Sequence, residues 1–179
     1  MKRILLAITI VTFSLLEVNA QVPNTNQNPG DTSRLEKARQ KYKELFGAEM
    51  VMNASDPELF IILQKLIFGE IFYIGNLDDT TRELITITAL ATNQTLPQLK
   101  VHTNAALNIG VSPVTIREVI YQCAPFIGFP KVLNALDTIN AVFKSRGIKL
   151  PLENEAAVQE NERFEKGKEM LGINRGDSE

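Results

Sequence analysis

The sequence of 179 residues contains one cysteine, one histidine and no tryptophan. A single cysteine cannot close a disulfide within the chain, so a disulfide-stapled scaffold is excluded. A structural zinc site takes nearly all of its ligands from cysteine and histidine, and one of each is too few. Any metal would need mostly carboxylate ligands, and no metal site is predicted.

The sequence also lacks a block of positive charge. Its formal net charge is -2 and its pI is about 5.6, and no basic run with interleaved aromatic residues occurs. Such a chain offers no electrostatic footprint for a phosphate backbone, so nucleic acid is not an expected partner. The motifs Cys-x-x-Cys, Gly-x-Ser-x-Gly, His-Glu-x-x-His and a Gly-rich phosphate loop are missing as well, which excludes most of the familiar enzyme classes.

The first twenty residues have the pattern of a secretory signal peptide. Lys2 and Arg3 precede an apolar run over residues 4–16, and Val18-Asn19-Ala20 places small or compact residues before a cleavage point. The run is shorter than the roughly 20 apolar residues of a membrane-spanning helix. No cysteine near this point could carry a lipid anchor. We therefore expect a periplasmic or secreted protein, with no membrane association in the mature form.

Helical signals follow a polar leader over residues 21–33, which is rich in Pro, Asn and Gly and is predicted to be disordered. Ser33 and Glu36 form a capping box that predicts the start of the first helix, which ends near Gly47. Asp56 and Pro57 predict the start of a second helix, running to about residue 68. Further helices are predicted at about 80–93, 97–109, 112–123 and 132–146.

Residues 85–88 alternate like a strand, but a lone strand would have no partner and its flanks are helical, so helix is favoured. The pattern as a whole predicts an all-α helical bundle over residues 34–150. Residues 151–179 are predicted to be a C-terminal extension with a short amphipathic helix that docks through Phe164, Met170 and Leu171.

The stretch from residue 60 to residue 74 is apolar on almost every side of its helix. A single small domain can hardly cover such a helix from within, so part of it is predicted to be an interface between subunits. The expected partner is a second copy of the chain.

The residues that could carry chemistry are few. His102 could transfer protons at neutral pH, or it could be a satisfied core histidine or a surface residue. Glu83 could be an inward-facing acid or an exposed carboxylate at the start of a helix. Cys123 is interpreted as a buried small hydrophobic residue, because a lone thiol has no resolving partner.

The order of residues from 68 to 136 resembles the carboxymuconolactone decarboxylase family, which includes the alkyl hydroperoxidase D proteins. The resemblance rests on three groups of residues: Arg82-Glu83-Leu84; His102 with Ala105-Ala106-Leu107 and Gly110; and Ala124-Pro125 with Gly128-Phe129-Pro130. It implies the all-α fold of that family, an assembly into a homotrimer or homohexamer, and an active site near the subunit contacts.

The hydroperoxidase branch of the family carries a Glu, a Cys-x-x-Cys pair and a His. Glu83 and His102 keep the spacing of the Glu and the His, whereas Thr95 and Gln98 occupy the two cysteine positions. Without sulfur at those positions, thiolate attack on a peroxide and disulfide closure cannot occur there. The resemblance therefore excludes a peroxidase that uses that mechanism.

The resemblance instead implies chemistry like that of the decarboxylase branch, which removes CO2 from an unsaturated carboxylated lactone without a cofactor. In this interpretation His102 donates a proton, Glu83 orients His102, and Thr95 and Gln98 hold substrate oxygens. A different pairing that uses Glu70 and Tyr73 remains open. Two other functions also stay open: an oligomer that binds a small ligand without catalysis, and a redox protein that uses Cys123.

Overall fold

The computed structural model describes residues 29–51 and 53–172, with side chains described from Ser33 onward. The predicted signal peptide and residues 21–28 of the leader lie outside the described residues. The described part of the chain is helical and contains no strand, as predicted. Its α-helices are α1 (Pro29–Phe46), α2 (Pro57–Gly69), α3 (Asp79–Asn93), α4 (Leu96–Asn108), α5 (Pro113–Gln122), α6 (Ala124–Ile127), α7 (Phe129–Ser145) and α8 (Arg163–Met170), with short 3-10 turns at Ile71–Tyr73 and Glu160–Glu162.

The two predicted capping side chains, Ser33 and Asp56, do not cap the first two helices as their signals suggest. Helix α1 begins at Pro29, so Ser33, which was predicted to cap it, lies inside the helix. Helix α2 begins at Pro57 as predicted, but the side chain of Asp56 makes no capping hydrogen bond. Proline at the first helical position has no N–H group, so fewer backbone donors at this helix start need a capping side chain such as that of Asp56.

Helix α3 contains the segment that alternates like a strand, and the prediction of helix for it is confirmed. The side chain of Asp78 accepts a hydrogen bond from the N–H of Thr81 at 2.7 Å and starts the helix. The hydroxyl of Thr86 donates to the carbonyl of Arg82 at 2.9 Å, which satisfies the hydroxyl within the helix. Neighbouring helices and local caps thus override the strand propensity of residues 85–88.

The region after α5 is more helical than the sequence indicated. The short helix α6 was not predicted, and α7 begins at Phe129 instead of Val132. Gly128 joins these two helices with a φ of 82°, a backbone conformation that glycine adopts without steric cost.

Two hydrophobic clusters share helix α4. The larger cluster packs α3, α4, α5 and α7 together and includes Ala106. The smaller cluster joins α1, α2 and α4 and includes Ala105. Because neighbouring residues of α4 face different clusters, this helix is held from both sides, and side chains that it carries are placed on a rigid element.

The C-terminal extension contains the predicted short helix α8, but the predicted docking is wrong. Phe164, Met170 and Leu171 remain 74%, 89% and 74% exposed. Among the helices that the structure describes, none has the length and apolar character needed to span a bilayer.

Gly69 allows α1 and α2 to approach closely. A Cβ atom at this position would lie 2.5 Å from the backbone carbonyl oxygen of Arg34, and a backbone atom cannot move aside cheaply. We expect Gly69→Ala to lower the free energy of unfolding by about 1–3 kcal/mol, because forced overpacking outweighs the better helix propensity of alanine. Denaturant titration measures this change. The matched control is Gly167→Ala in α8, where nothing lies within 4 Å of the added Cβ; an equal loss in both variants would contradict the packing explanation.

Candidate active site

Glu83 and His102 meet between α3 and α4. The Nδ1 atom of His102 lies 2.9 Å from Oε2 of Glu83. The side chain of Glu83 is fully buried, while that of His102 is 17% exposed. A carboxylate accepts hydrogen bonds, so Nδ1 carries the proton in this contact and Nε2 is the ring nitrogen left for other partners.

Aromatic side chains from α1 and α2 form a wall beside His102. The ring of Phe46 lies edge-on to the imidazole, with 5.6 Å between the ring centroids. Phe68 packs against Phe46 at 5.7 Å and against Tyr42 at 5.4 Å. This arrangement shields one side of the imidazole from water and places the smaller hydrophobic cluster directly behind the candidate site.

Arg82, the residue before Glu83, orders the segment that leads into α3. Its guanidinium donates to the carbonyl of Ile71 at 3.0 Å, of Ile74 at 2.5 Å and of Leu77 at 3.0 Å. It also lies 5.7 Å from the centre of the Phe72 ring. The planar guanidinium group thus satisfies three backbone carbonyls of the turn before α3 with three of its N–H donors.

Lys41 attaches α1 to the start of α3. Its Nζ donates to Asp79 at 2.5 Å and lies 2.8 Å from a carboxylate oxygen of Glu44. Burial lowers the pKa of Lys41, but the hydrogen bonds to Asp79 and Glu44 outweigh it, so the pKa lies above the usual value. Lys41 is therefore charged at neutral pH and fixes the first turn of α3, one turn before Glu83.

The turn between α3 and α4 is held by Gln94, whose φ is 59°. The side-chain nitrogen of Gln94 donates to the carbonyls of Ala91 at 2.7 Å and Lys131 at 3.0 Å. Its side-chain oxygen accepts from Asn134 at 2.8 Å. The turn that sets the register between Glu83 and His102 is therefore tied to α7.

Three buried polar side chains have atoms without hydrogen-bond partners in the described part of the chain. In Glu70 the atom is Oε1, which forms an ion pair with Arg34. In Glu83 the atom is Oε1, and in Gln64 both amide atoms, Nε2 and Oε1, lack a partner. Gln64 is 1% exposed. A buried polar atom without a partner costs about 1–3 kcal/mol, so such atoms call for an explanation. Sequence reasoning missed Gln64, because one glutamine in an apolar helix gives no motif.

Thr95 and Gln98 lie on the same side of α4 as His102. Spacings of three and four residues place all three on one face of the helix. Both Thr95 and Gln98 are exposed, and Thr95 makes no capping hydrogen bond through its side chain. The structure therefore brings them to the helix face that carries His102 and leaves their polar groups open.

The alternative pair, Glu70 and Tyr73, is engaged with α1. Glu70 forms an ion pair with Arg34. The hydroxyl of Tyr73 donates to the backbone carbonyl of Lys37 at 3.4 Å. These contacts give both side chains a structural role in holding α1 against the turn after α2.

Cys123 is buried, as predicted. Its thiol donates to the carbonyl of Val119 at 3.2 Å, and burial raises the pKa of the thiol. Thiolate chemistry at neutral pH is therefore disfavoured. Cys123 borders a largely apolar cavity of about 340 Å³ whose other lining residues are Thr88, Thr92, Val119, Gln122, Phe126 and Ile127. Within the described residues, no group of three His, Cys, Asp or Glu side chains could hold a metal ion.

Comparisons with known proteins agree with this architecture. The sequence model of the carboxymuconolactone decarboxylase family matches residues 57–141. The chain is similar to a protein of Acinetobacter baylyi named 4-carboxymuconolactone decarboxylase, with 28% identity over 97 residues, which are 54% of this chain and 72% of the relative. It is also similar to a Paracoccus denitrificans protein described as an uncharacterized 15.0 kDa protein, with 36% identity over 89 residues, which are 49% of this chain and 66% of the relative.

The segment matched by the family model, residues 57–141, covers a little under half of this chain. This segment contains both Glu83 and His102, together with Thr95 and Gln98. Helix α1, which supplies Phe46 and Lys41 to the site, precedes the matched segment.

The hydrogen bonds of Arg82 predict how the turn before α3 responds to mutation. We expect Arg82→Lys to lower the free energy of unfolding by about 1–2 kcal/mol, because a single ammonium group cannot replace three directed guanidinium donors. We also expect faster proteolytic cleavage within residues 71–78, measured by limited proteolysis and mass spectrometry. The control is Arg39→Lys, at an exposed position of α1. Equal cleavage rates for the Arg82 variant and the unmodified chain would argue against an ordering role.

Proposed function

We propose that this protein is a decarboxylase-like carbon–carbon lyase that acts on a small unsaturated organic acid or lactone. The observation that carries the proposal is the 2.9 Å contact between His102 and the fully buried carboxylate of Glu83. The match to the decarboxylase family and the similarity to a named 4-carboxymuconolactone decarboxylase support it. The proposed reaction uses acid–base chemistry of the chain itself and requires no cofactor.

The proposed step follows from what decarboxylation demands. The bond between the carboxylate carbon and the ring carbon breaks, CO2 leaves, and the electron pair spreads through the conjugated system onto the lactone carbonyl oxygen. In this step His102 enters doubly protonated, with one proton on Nδ1 facing Glu83 and one from solvent on Nε2, and the Nε2 proton is transferred to a carbon of this system, which restores an uncharged lactone ring. Glu83 holds the imidazole through Nδ1, and solvent returns the proton to Nε2 after the transfer.

Substrate oxygens need donors as charge develops on them. We assign this role to Thr95 and Gln98, whose open polar groups share the His102 face of α4. Both are exposed in a single chain, so a substrate can reach them directly. A small acid or lactone is the size of ligand that these two residues and His102 could contact together.

We further propose that the protein is exported and assembles with copies of itself. The support for export is the pattern of residues 1–20. The support for assembly is an exposed apolar face of α2. This face consists of Leu59, Ile62, Leu63 and Leu66, which are 39% to 63% exposed. Contiguous apolar area of this kind is typical of an interface between subunits.

One observation favours a second candidate function, the binding of a small apolar ligand without catalysis. The cavity beside Cys123 has a volume of about 340 Å³ and an apolar lining, within the range of small-molecule sites. Neither Glu83 nor His102 lines this cavity. Variants of these two residues therefore separate the two functions.

The proposed mechanism predicts the effect of removing either member of the pair. We expect His102→Asn and Glu83→Gln each to slow CO2 release from 4-carboxymuconolactone by about 10²–10⁴-fold, because general acid catalysis contributes that much. Release of CO2 is followed with the purified protein at neutral pH, with related unsaturated lactone acids tested in parallel. Lys100→Gln, an exposed change on the same helix, is the control. Full activity in His102→Asn, or no turnover of any lactone acid by the unmodified chain, would remove the lyase proposal.

The apolar face of α2 predicts the behaviour of an interface variant. We expect the unmodified protein to sediment as an oligomer and the double variant Ile62→Glu/Leu66→Glu to sediment as a single chain, since charged side chains cannot be buried there without partners. Analytical ultracentrifugation measures the mass. Phe164→Glu, an exposed apolar residue of α8, is the matched control. An unmodified protein that sediments at the mass of one chain would contradict the proposed assembly.

A further inference from the structure

We propose that Gln64 is a substrate-binding residue of the Glu83–His102 site, and that its side-chain N–H donates to the substrate oxygen on which negative charge develops. This inference rests on the proposed lyase function. It adds a donor from α2 to a site whose other polar residues come from α3 and α4. Neither a sequence motif nor the family resemblance singles out this position.

The first support is the burial of an amide that the folded chain does not satisfy. Gln64 is 1% exposed, and neither its Nε2 nor its Oε1 has a hydrogen-bond partner among the described residues. The buried residues of α2 are Gln64, Phe68 and Gly69. A helix that needed only to pack would carry an apolar residue at this position, because an amide without partners weakens the fold.

The second support is the location of Gln64. Gln64 lies one helical turn before Phe68 on the buried side of α2. The ring of Phe68 is 5.7 Å from the ring of Phe46, which is itself 5.6 Å from the imidazole of His102. Phe68 also belongs to the cluster that joins α1, α2 and α4. Gln64 is therefore linked to His102 through the side chains of Phe68 and Phe46.

The third support is that Glu83 also leaves one carboxylate oxygen without a partner. Its Oε2 accepts from His102, while its buried Oε1 has no partner in the described part of the chain. The site thus combines an acceptor on Glu83 with a donor and an acceptor on Gln64. A small acid or its enol, which offers a carbonyl and a hydroxyl side by side, would satisfy both groups at once.

The amide of Gln64 is expected to act in the step in which negative charge develops on the substrate oxygen. An amide N–H is neutral, so it binds the neutral lactone carbonyl weakly and the developing oxyanion strongly. In a buried position this difference is larger than in water, because fewer water molecules screen it. Gln64 is therefore expected to act on the rate of turnover more than on substrate affinity.

The test is Gln64→Met, which keeps a flexible side chain of similar length and removes both polar atoms. We expect kcat for 4-carboxymuconolactone to fall by about 100-fold, as for the loss of one oxyanion donor, with KM within about threefold of the original value. We also expect the midpoint of thermal unfolding to stay the same or rise by about 2–4 °C, because an unsatisfied amide is replaced by an apolar group. Gln40→Met, an exposed change on α1, controls for the substitution itself.

The possible outcomes separate this inference from the proposed function. If His102→Asn is inactive while Gln64→Met loses less than about tenfold in kcat, the lyase function stands and the role of Gln64 is wrong. If Gln64→Met unfolds at a clearly lower temperature than the unmodified chain, the amide is satisfied by ordered water in the folded protein and its role is structural. If the unmodified protein releases no CO2 from any lactone acid, both proposals fall together.

Discussion

A carboxylate that is fully removed from water must find a partner that replaces its hydration, and in this protein the partner of Glu83 is the imidazole of His102. The contact joins α3 to α4, so the position of α3 determines where Glu83 meets the imidazole carried by α4. The ring of Phe46 from α1 packs against one side of the imidazole. The other helices of the bundle hold α3 and α4 so that these two side chains stay in contact.

Part of that support acts at the start of α3. Arg82 orders the turn before the helix, and Lys41 fastens its first turn to α1. Helix α4 is held between two hydrophobic clusters. A site built on helices that are fixed at several points can keep a short hydrogen bond without contributions from flexible loops. The proposed site uses the buried polar atoms of Gln64 and Glu83 that lack partners in the described part of the chain, a common relation between stability and function.

The sequence was sufficient for the fold class and for most helices, because helical periodicity, caps and Gly or Pro breaks all agree along residues 57–147. The family resemblance, in which a Glu and a His keep this spacing, implied a functional pair of Glu83 and His102, and the two side chains are in contact. Other features depend on packing that no local pattern encodes. The start of α1 at Pro29, the short helix α6 and the exposed apolar side chains of α8 all differ from their local signals. The burial of Gln64 on α2 likewise follows from helix packing and from no local pattern.

The turn formed around Gln94 has a consequence for how this chain can vary. Glu83 and His102 are 19 residues apart, and the connection between α3 and α4 consists of Gln94 and Thr95. Inserting or deleting one residue within either helix would rotate the residue beyond it by about 100° around the helix axis. The side-chain amide of Gln94 is hydrogen-bonded to α7, so the turn between α3 and α4 cannot move to compensate for such a rotation. We therefore expect insertions and deletions to be tolerated before α3 or after α4. The number of residues between Glu83 and His102 should stay fixed.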